Sequence, residues 1–499
     1  MRRRPRPPFA IPPVGLLVVS VLATQGGCSG SSSSASHAAD AGADGSTAPL
    51  DGSTPPDAPG VHDGPSVDTG TTSPGDGGVA PPDLDASPIT GLNGKTYYVA
   101  TTGSDTNDGS MGAPWKTIQN AGPTVGPGDT VVVLAGTYDG AIFGWDGAAP
   151  CGDTDCTITG TAAHPILIEA DPTASPGSVV IASKNKRSAI GLSLVGCDYV
   201  DVVGFTMTNA GTSTTAAGSI TKAGISVAQS TGNVVQGNVV DGVSGIGGIL
   251  VDFGTGVVVR GNTVVDTKGT GDTGHGMYLS GGSTGLQVIG NLIHDNAYVG
   301  IHINGDVASE GPPGVVTQVL IAGNAIYANG QNGINADGLQ SSTIENNVIY
   351  GNANNGIDLY QIDAAGGSTG NVIVNNTIDQ SMIAGSYAIA IDACAYDGPS
   401  PSPAGCTSAP DDSSTGNIAF DDVLLGGNGG GATSVVTSAD LALSTNLTTA
   451  SGLFVNATGG DYQLSPGGPG VGTGIGSFSG AQAPAAPGGT WDIGAFDYE

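Results

Sequence analysis

The sequence predicts an all-β protein built as a right-handed parallel β-helix, and three observations lead to this prediction. Gly supplies 86 of the 499 residues and only 11% of residues are charged, which is typical of a chain with many tight turns. Glu, Lys and Arg are too scarce for a mainly helical protein. Two short motifs then alternate through the middle of the chain at solenoid spacing.

The first motif is an aliphatic residue, any residue, Gly or Asn, and then Asn. Its Asn recurs at intervals of 24, 29, 33, 23 and 29 residues: Asn238, Asn262, Asn291, Asn324, Asn347 and Asn376. Asn tolerates the left-handed backbone of a tight turn. Coils stacked about 4.8 Å apart would let these amides hydrogen-bond along the solenoid axis.

The second motif is a small residue followed by apolar, any and apolar residues. It begins at Gly224, Gly248, Gly276, Gly300, Gly333, Gly356 and Ala388. Such short strands cannot each bury a core, but stacked coils bury a continuous one. Crossovers between parallel strands favour the right-handed form. Strand alternation predicts that the first and third residues after the small one point inward, and the second and fourth outward.

The N-terminus reads as an export signal followed by a tether. Four Arg residues precede an apolar run from Val14 to Ala23, which is shorter than the ~20 residues that span a bilayer. Small residues before Cys28 resemble a bacterial lipobox, although Gln25 departs from the pattern, and plain secretion is the alternative. Residues 29–91 are rich in Ser, Asp, Pro and Gly and predict a disordered tether. Residues 92–499 form the predicted β-helix domain, with a cap over about 95–140, coils over about 141–430 and a C-terminal cap over about 431–499.

The Cys residues predict an oxidising compartment. Cys151 and Cys156 lie in one Gly/Asp/Pro-rich loop, and Cys394 and Cys406 lie in another, so we expect the disulfides Cys151–Cys156 and Cys394–Cys406. Cys197 falls in an apolar stretch and is expected to be buried.

The repeated Asn turns between short aliphatic strands resemble the right-handed parallel β-helices of the pectate lyase-like superfamily. The segment from Tyr97 to Gly140 resembles the N-terminal cap of secreted polysaccharide lyases, and the ending WDIGAFDYE resembles the terminus of many bacterial surface β-helix proteins. The resemblance implies a short capping helix over Trp115–Ala121 and a first strand over Thr130–Leu134. It is specific for the fold and weak for the reaction.

The outward positions of the second motif gather polar side chains in the middle coils. We expect Tyr278, His302, Asp337 and Asp358 to be catalytic. The expected substrate-binding residues are Asp252, His275, Asn304, Asn335, Tyr360 and Asp392. Long loops after His302 and Tyr360, and a long linker that contains Lys268 and His275, should flank this face. The alternative is that these loops are long through random drift in loop length and do not mark a binding face. His294, Tyr327 and Tyr350 align on a different sheet, as a packing or sugar-stacking patch.

Two chemistries suit these residues. Tyr278 and His302 should lie about 4.8 Å apart on adjacent coils, where a Tyr/His pair can do acid–base work with His as a base near neutral pH. Asp337 and Asp358 should have Cα atoms about 8 Å apart, a separation that suits an inverting glycosidase. The alternative is that each Asp belongs to an ordinary solvated surface.

The net charge and the distribution of basic residues narrow the range of possible functions. A net charge of −31 disfavours nucleic acid as a partner. No Lys or Arg follows Lys268, whereas lyases of the resembled superfamily that act on polyuronates typically use basic residues with Ca²⁺. Ca²⁺ bound by Asp could supply the charge instead, and the segment from Asp105 to Gly109 superficially resembles a Ca²⁺ loop. We therefore expect a secreted, lipid-anchored cell-surface protein that acts on extracellular polysaccharide as a lyase or hydrolase. The alternative is a non-catalytic surface protein, either an adhesin or glycan-binding protein or a structural β-helix protein. The sequence leaves the metal and the oligomeric state open.

Overall fold

A computed structural model describes residues 88–144, 157–209, 218–307, 311–362, 364–391, 413–484 and 491–495. In this part of the chain three long parallel sheets wind into a right-handed β-helix, which confirms the predicted fold class. Each complete coil contributes one strand to sheet 1, then one to sheet 2, then one to sheet 3. No helix among these residues has the length and apolar character needed to cross a bilayer.

Sheet 1 is the longest and has 12 strands. They are Thr96–Val99, Thr130–Val133, Ile166–Ala170, Val200–Val203, Val234–Gln236, Val258–Arg260, Gln287–Ile289, Leu320–Ala322, Thr343–Glu345, Val372–Val374, Asn417–Phe420 and Leu441–Ser444. The strand predicted over Thr130–Leu134 is therefore present, but it is not the first, because Thr96–Val99 pairs in front of it.

Sheet 2 has 10 strands. They are Gly136–Asp139, Val179–Ser183, Thr206–Thr208, Val239–Asp241, Thr263–Val265, Leu292–His294, Ala325–Tyr327, Val348–Tyr350, Thr377–Asp379 and Val423–Leu425. The repeated Asn of the first motif lies in the corner between sheet 1 and sheet 2.

Sheet 3 also has 10 strands and contains the second motif. They are Ala141–Phe143, Ile190–Val195, Ala223–Ala228, Gly247–Asp252, His275–Ser280, Ile301–Asn304, Ile334–Asp337, Ile357–Tyr360, Tyr387–Ile391 and Gly431–Ser434. Steric crowding explains why the second motif begins with a small residue. A Cβ at Gly300 would lie 2.5 Å from Cγ2 of Ile326 and 2.6 Å from the Gly333 carbonyl oxygen, so only Gly fits where this strand meets the core.

The core is one continuous apolar column inside the coils. Its members come from the inward positions of all three sheets, and the middle ones, such as Ile301, Ile303, Ile321 and Ile326, are 0% exposed. Since adjacent coils share this column, each coil is stabilised by its neighbours and not by a core of its own.

The predicted Asn ladder is present and buried. The amide of Asn291 donates from Nδ2 to Oδ1 of Asn324 at 2.9 Å, and the backbone N–H of Asn291 donates to the same oxygen at 2.9 Å. The same two bonds recur from Asn238 to Asn376, and the ladder then continues onto Asp422. Each Asn side chain thereby satisfies backbone groups of the preceding coil and links the two coils.

A second ladder lies in the corner between sheets 2 and 3, and the sequence analysis did not identify it. Asn296, Asn329 and Asn352 stack in the same way, with Nδ2-to-Oδ1 distances of 2.9 Å, and Gln380 receives the backbone N–H of Asn352. These Asn residues stand five positions after the first-ladder Asn of their coil, so the signal was present in the sequence.

The two ends differ from the coils. Where a capping helix was predicted over Trp115–Ala121, the structure has a single turn of 3₁₀ helix, Ile118–Ala121, that packs on the core. A second 3₁₀ turn is Ala457–Gly459. Small two-stranded sheets complete the fold, and they pair Val316–Thr317 with Leu339–Gln340, Phe454–Asn456 with Asp461–Leu464, and Ser477–Phe478 with Ala481–Gln482.

Several sequence predictions fall outside the described residues. These are the export signal, Cys28, the tether up to residue 87, the disulfides Cys151–Cys156 and Cys394–Cys406, and Asp392. Cys197 is described and is fully buried, as predicted.

Candidate functional site

The outer face of sheet 3 carries the candidate site, and strand alternation places its side chains as predicted. Tyr278, His302, Asn335 and Asp358 occupy equivalent positions on four successive strands. The row two residues further along is Ser280, Asn304, Asp337 and Tyr360. The residues between these rows point into the core, so both rows lie on the outer face.

A cluster of four rings occupies the middle of this face. The rings of Tyr278 and His302 lie side by side with centroids 5.1 Å apart, close to the predicted separation. His275 stacks on His302 at 4.6 Å with an interplanar angle of 12°, and the edge of Tyr298 meets His275 at 5.2 Å. We call Tyr278, His302, His275 and Tyr298 the ring cluster.

Amide side chains hold the polar ends of these rings. Nδ2 of Asn304 donates to the Tyr278 hydroxyl at 2.7 Å. Nδ2 of Asn335 donates to the Tyr360 hydroxyl at 2.7 Å and lies 3.2 Å from Nδ1 of His302. Five of the residues predicted from the sequence, Tyr278, His302, Asn304, Asn335 and Tyr360, are thus joined on one surface.

Burial sets the charge of the two histidines. It lowers the pKa of His302 to about 4. It also lowers the pKa of His275 well below its usual range, and the neighbouring His302 adds to this, while a hydrogen bond to the Asp272 carbonyl opposes it. Both imidazoles are therefore neutral at neutral pH. The prediction that His302 acts as a base near neutral pH is corrected, because desolvation of its half-buried imidazole lowers the pKa of His302.

Asp337 and Asp358 were predicted as a solvent-facing carboxylate pair, and the structure buries both at 2% exposure. Asp337 accepts the backbone N–H groups of Ile362 and Ala364 at 2.9 and 3.2 Å. Oδ2 of Asp358 accepts the amides of Asn332 and Asn355 at 3.4 and 3.3 Å. These contacts position a loop and two amides, so the pair does not provide the water-accessible acid and base of an inverting hydrolase.

Two further predicted residues were expected to bind substrate, His275 inside the ring cluster and Asp252 beside it. His275 is 1% exposed, and its Nε2 donates to the Asp272 carbonyl oxygen at 3.2 Å. Asp252 lies one coil before Ser280, whose hydroxyl donates to it at 3.3 Å, and burial raises the pKa of Asp252. The hydrogen bonds described for His275 and Asp252 do not involve Asn304 or Asn335, the amides that hold Tyr278 and His302.

Long loops bound the cluster on two sides, as predicted. At the start of the strands, the Tyr298 hydroxyl donates to Asp272 at 2.9 Å, which ties the linker before His275 to the next coil. At the end of the strands, the loops after Asn304 and Tyr360 meet each other through a bridge between Asp306 and Ala364.

The chain matches the profile of a known protein family. A family profile described as "Right handed beta helix region" matches residues 141–310 and 313–400, which is more than half of the chain. The chain belongs to the right-handed β-helix family. Comparison with curated protein sequences gives no match.

Solved right-handed β-helix structures share the fold at low sequence identity. A rhamnogalacturonan lyase is 17% identical, with a TM-score of 0.51, over 72% of this chain and 91% of that protein. The pectate lyase Pel9A is 17% identical, with a TM-score of 0.49, over 81% of this chain and 97% of that protein. At 17% identity the likeness to the rhamnogalacturonan lyase concerns the fold alone and leaves the reaction to be argued from the site.

The site of this β-helix protein includes residues that the sequence analysis missed. Asn332 and Asn355 stand immediately before the small residue of the second motif and point onto the outer face beside Asp358. The repeated triplet Asn-Gly-Ile at 332–334 and 355–357 was the available signal. Tyr298 joins the ring cluster from the turn before Ile301–Asn304 and carried no repeat signal.

The loop that resembles a Ca²⁺ motif uses its carboxylates in hydrogen bonds within the N-terminal cap. Among the described residues no three His, Cys, Asp or Glu side chains gather at metal-binding distance. In the loop that resembles a Ca²⁺ motif, Oδ1 of Asp105 accepts the backbone N–H groups of Lys116 and Thr117, and Oδ2 accepts the Thr117 hydroxyl. Asp108 accepts the backbone N–H of Ser110. These carboxylates fasten the N-terminal cap.

The aromatic column on sheet 2 is a packing feature. His294, Tyr327 and Tyr350 stack with centroids 4.7 Å apart and nearly parallel planes. Tyr462 from the C-terminal segment packs on Tyr350 at 4.8 Å, and its hydroxyl donates to Asp379. Tyr327 is stacked between His294 and Tyr350, and Tyr462 packs on Tyr350, so this column fastens the C-terminal segment to the coils.

Proposed function

We propose that the protein engages extracellular polysaccharide on the outer face of sheet 3. The observation that carries this proposal is the hydrogen-bonded set of Tyr278, His302, Asn304, Asn335 and Tyr360 on four adjacent coils. Aromatic rings with polar ends and fixed amides match the apolar faces and hydroxyl groups of sugars. The fold shared with a rhamnogalacturonan lyase supports a saccharide ligand.

Charge favours a polysaccharide with few carboxylates. No Lys or Arg follows Lys268 in the sequence, and Lys268 itself pairs with Asp266. Arg260 belongs to sheet 1, where its Nε donates to Gln236. A net charge of −31 repels polyanions, and the neutral histidines of the ring cluster do not offset it.

Catalysis is the second candidate, and the side-by-side placement of Tyr278 and His302 favours it. A sugar bound across both rings would meet a phenol and an imidazole together. Because the low pKa of His302 makes it a weak base, proton transfer would fall to Tyr278, with His302 as a hydrogen-bonding partner. A lyase and a hydrolase both remain compatible with this pair.

The proposal includes a location. The export signal, the lipobox-like Cys28 and the long tether would hold the β-helix away from a bacterial membrane, at the cell surface. The mass of the mature N-terminus tests this, because an unmodified N-terminus that starts elsewhere than Cys28 contradicts lipid anchoring.

The test uses the full-length protein and a panel of neutral and uronate-containing polysaccharides. We expect retention on at least one neutral polysaccharide and weaker retention on polyuronates at low salt. Release of unsaturated uronates or new reducing ends during the same incubation identifies a lyase or a hydrolase. Retention without products establishes the binding function, whereas no retention and no product on any polysaccharide contradicts the proposal.

A further inference from the structure

We propose that two amides, Asn332 and Asn335, act as positioning residues that fix the ring proton of His302 on Nε2. His302 then offers a bound saccharide a hydrogen-bond donor and not a base. The role toward saccharide rests on the proposed function, but the proton position follows from hydrogen bonds within the protein alone.

Hydrogen bonds run from Asn355 through Asn332 and Asn335 to His302, and we call this chain the relay. It starts at a group that can only donate a hydrogen bond. The backbone N–H of Asn355 donates to the side-chain oxygen of Asn332 at 2.9 Å. A backbone N–H only donates, so the Asn332 atom that receives it is the amide oxygen. Nδ2 of Asn332 must then face the other way, where it donates to Oδ1 of Asn335 at 2.9 Å. Oδ2 of Asp358, 3.4 Å from the same nitrogen, supports this orientation because a carboxylate accepts.

The direction of Asn332 decides that of Asn335. Since Oδ1 of Asn335 accepts from Asn332, its Nδ2 faces Nδ1 of His302 at 3.2 Å and the Tyr360 hydroxyl at 2.7 Å. An amide nitrogen donates and does not accept, so Nδ1 of His302 must present a lone pair. A neutral imidazole with a bare Nδ1 carries its proton on Nε2.

The surroundings of His302 keep the imidazole neutral. His275 stacks on one side of the ring, Tyr278 lies beside it, and burial lowers the pKa of His302 to about 4. The contact with Nδ1 of His302 gives a chemical reason for Asn and not Asp at position 335. An Asp there would accept a hydrogen bond from Nδ1–H and favour the charged imidazolium, whereas Asn donates to Nδ1 and favours one neutral tautomer.

The tautomer is measured directly by NMR of the full-length protein with ¹⁵N only in the His rings. The ring signals of His302 are assigned by their loss in His302→Gln. At pH 7, without saccharide, we expect protonated Nε2 and unprotonated Nδ1 in the wild type. Asn335→Asp should place a proton on Nδ1, and Asn332→Asp should do the same by turning the Asn335 amide around. Asn428→Asp, at an exposed position, adds the same charge and should leave His302 unchanged.

If His302 of the wild-type protein carries its proton on Nδ1, the relay is wrong. This result does not depend on whether the variants fold. An unchanged tautomer in folded Asn335→Asp also overturns it, and an unchanged tautomer in folded Asn332→Asp removes Asn332 from it. A correct tautomer together with no polysaccharide retention contradicts the proposed function alone. The two proposals therefore fail separately.

Discussion

Replacing Asn324 by Leu is expected to lower the free energy of unfolding by about 3–5 kcal/mol, because it breaks the first Asn ladder in its middle. Asn324 is 1% exposed, and its Oδ1 accepts two bonds from Asn291. Its Nδ2 donates to Asn347 and to the Val288 carbonyl oxygen at 2.9 Å each. Leu has a similar size but leaves these buried partners unsatisfied, at a cost of about 1–3 kcal/mol for each group.

The measurement is a urea titration followed by circular dichroism, with the midpoint compared between variants. Asn428→Leu serves as the matched control, because Asn428 is exposed, and its effect should stay within about 0.5 kcal/mol. A loss below about 1 kcal/mol for Asn324→Leu would show that the ladder contributes little to the stability of the coils.

Asp422→Asn is expected to stabilise the protein at pH 7 by about 2–4 kcal/mol and to have little effect near pH 4. Asp422 is fully buried and occupies the ladder position after Asn376. Its Oδ1 accepts two bonds from Asn376, whereas its Oδ2 has no hydrogen-bond partner among the described residues. Burial raises the pKa of Asp422 to about 8, and the nearby Asp421 adds to this.

The raised pKa of Asp422 determines how its contribution to stability changes with pH. The folded protein favours protonated Asp422, so its contribution to stability is complete below about pH 4 and is lost as the pH rises toward 8. Asn has no such titration, and its Nδ2 can donate to a backbone carbonyl, as Nδ2 of Asn324 does to Val288. Urea midpoints for both proteins between pH 4 and pH 8 test this. A stability difference that does not change with pH would rule out titration of Asp422 as its cause.

The coil architecture was accessible from the sequence because its signals are local and repeated. The Gly of the second motif and the Asn of the first recur because each coil meets the same constraint, as Gly300 and Asn324 illustrate. The N-terminal cap resembles no coil, so neither the strand Thr96–Val99 nor the short 3₁₀ turn Ile118–Ala121 followed from the repeat.

The site was only partly accessible. Alternation placed Tyr278, His302, Asn335 and Tyr360 on one face, because the side-chain direction depends only on position in the strand. Burial and bonding partners depend on loops that have no period. Asp337 is bound by backbone groups at Ile362 and Ala364, which no strand pattern predicts. The low pKa of His302 likewise required the burial that the folded ring cluster imposes.

Affinity for a neutral oligosaccharide most directly tests the claim that Tyr278 and His302 on the outer face of sheet 3 bind saccharide. Isothermal titration calorimetry would compare the full-length wild type with Tyr278→Phe and His302→Gln, using an oligosaccharide of a retained polysaccharide. Tyr98→Phe, on sheet 1, is the matched control for loss of one hydroxyl. We predict a Kd roughly tenfold higher for each site variant, as expected for one lost hydrogen bond, and an unchanged Kd for the control. Unchanged affinity in both folded site variants would contradict the account.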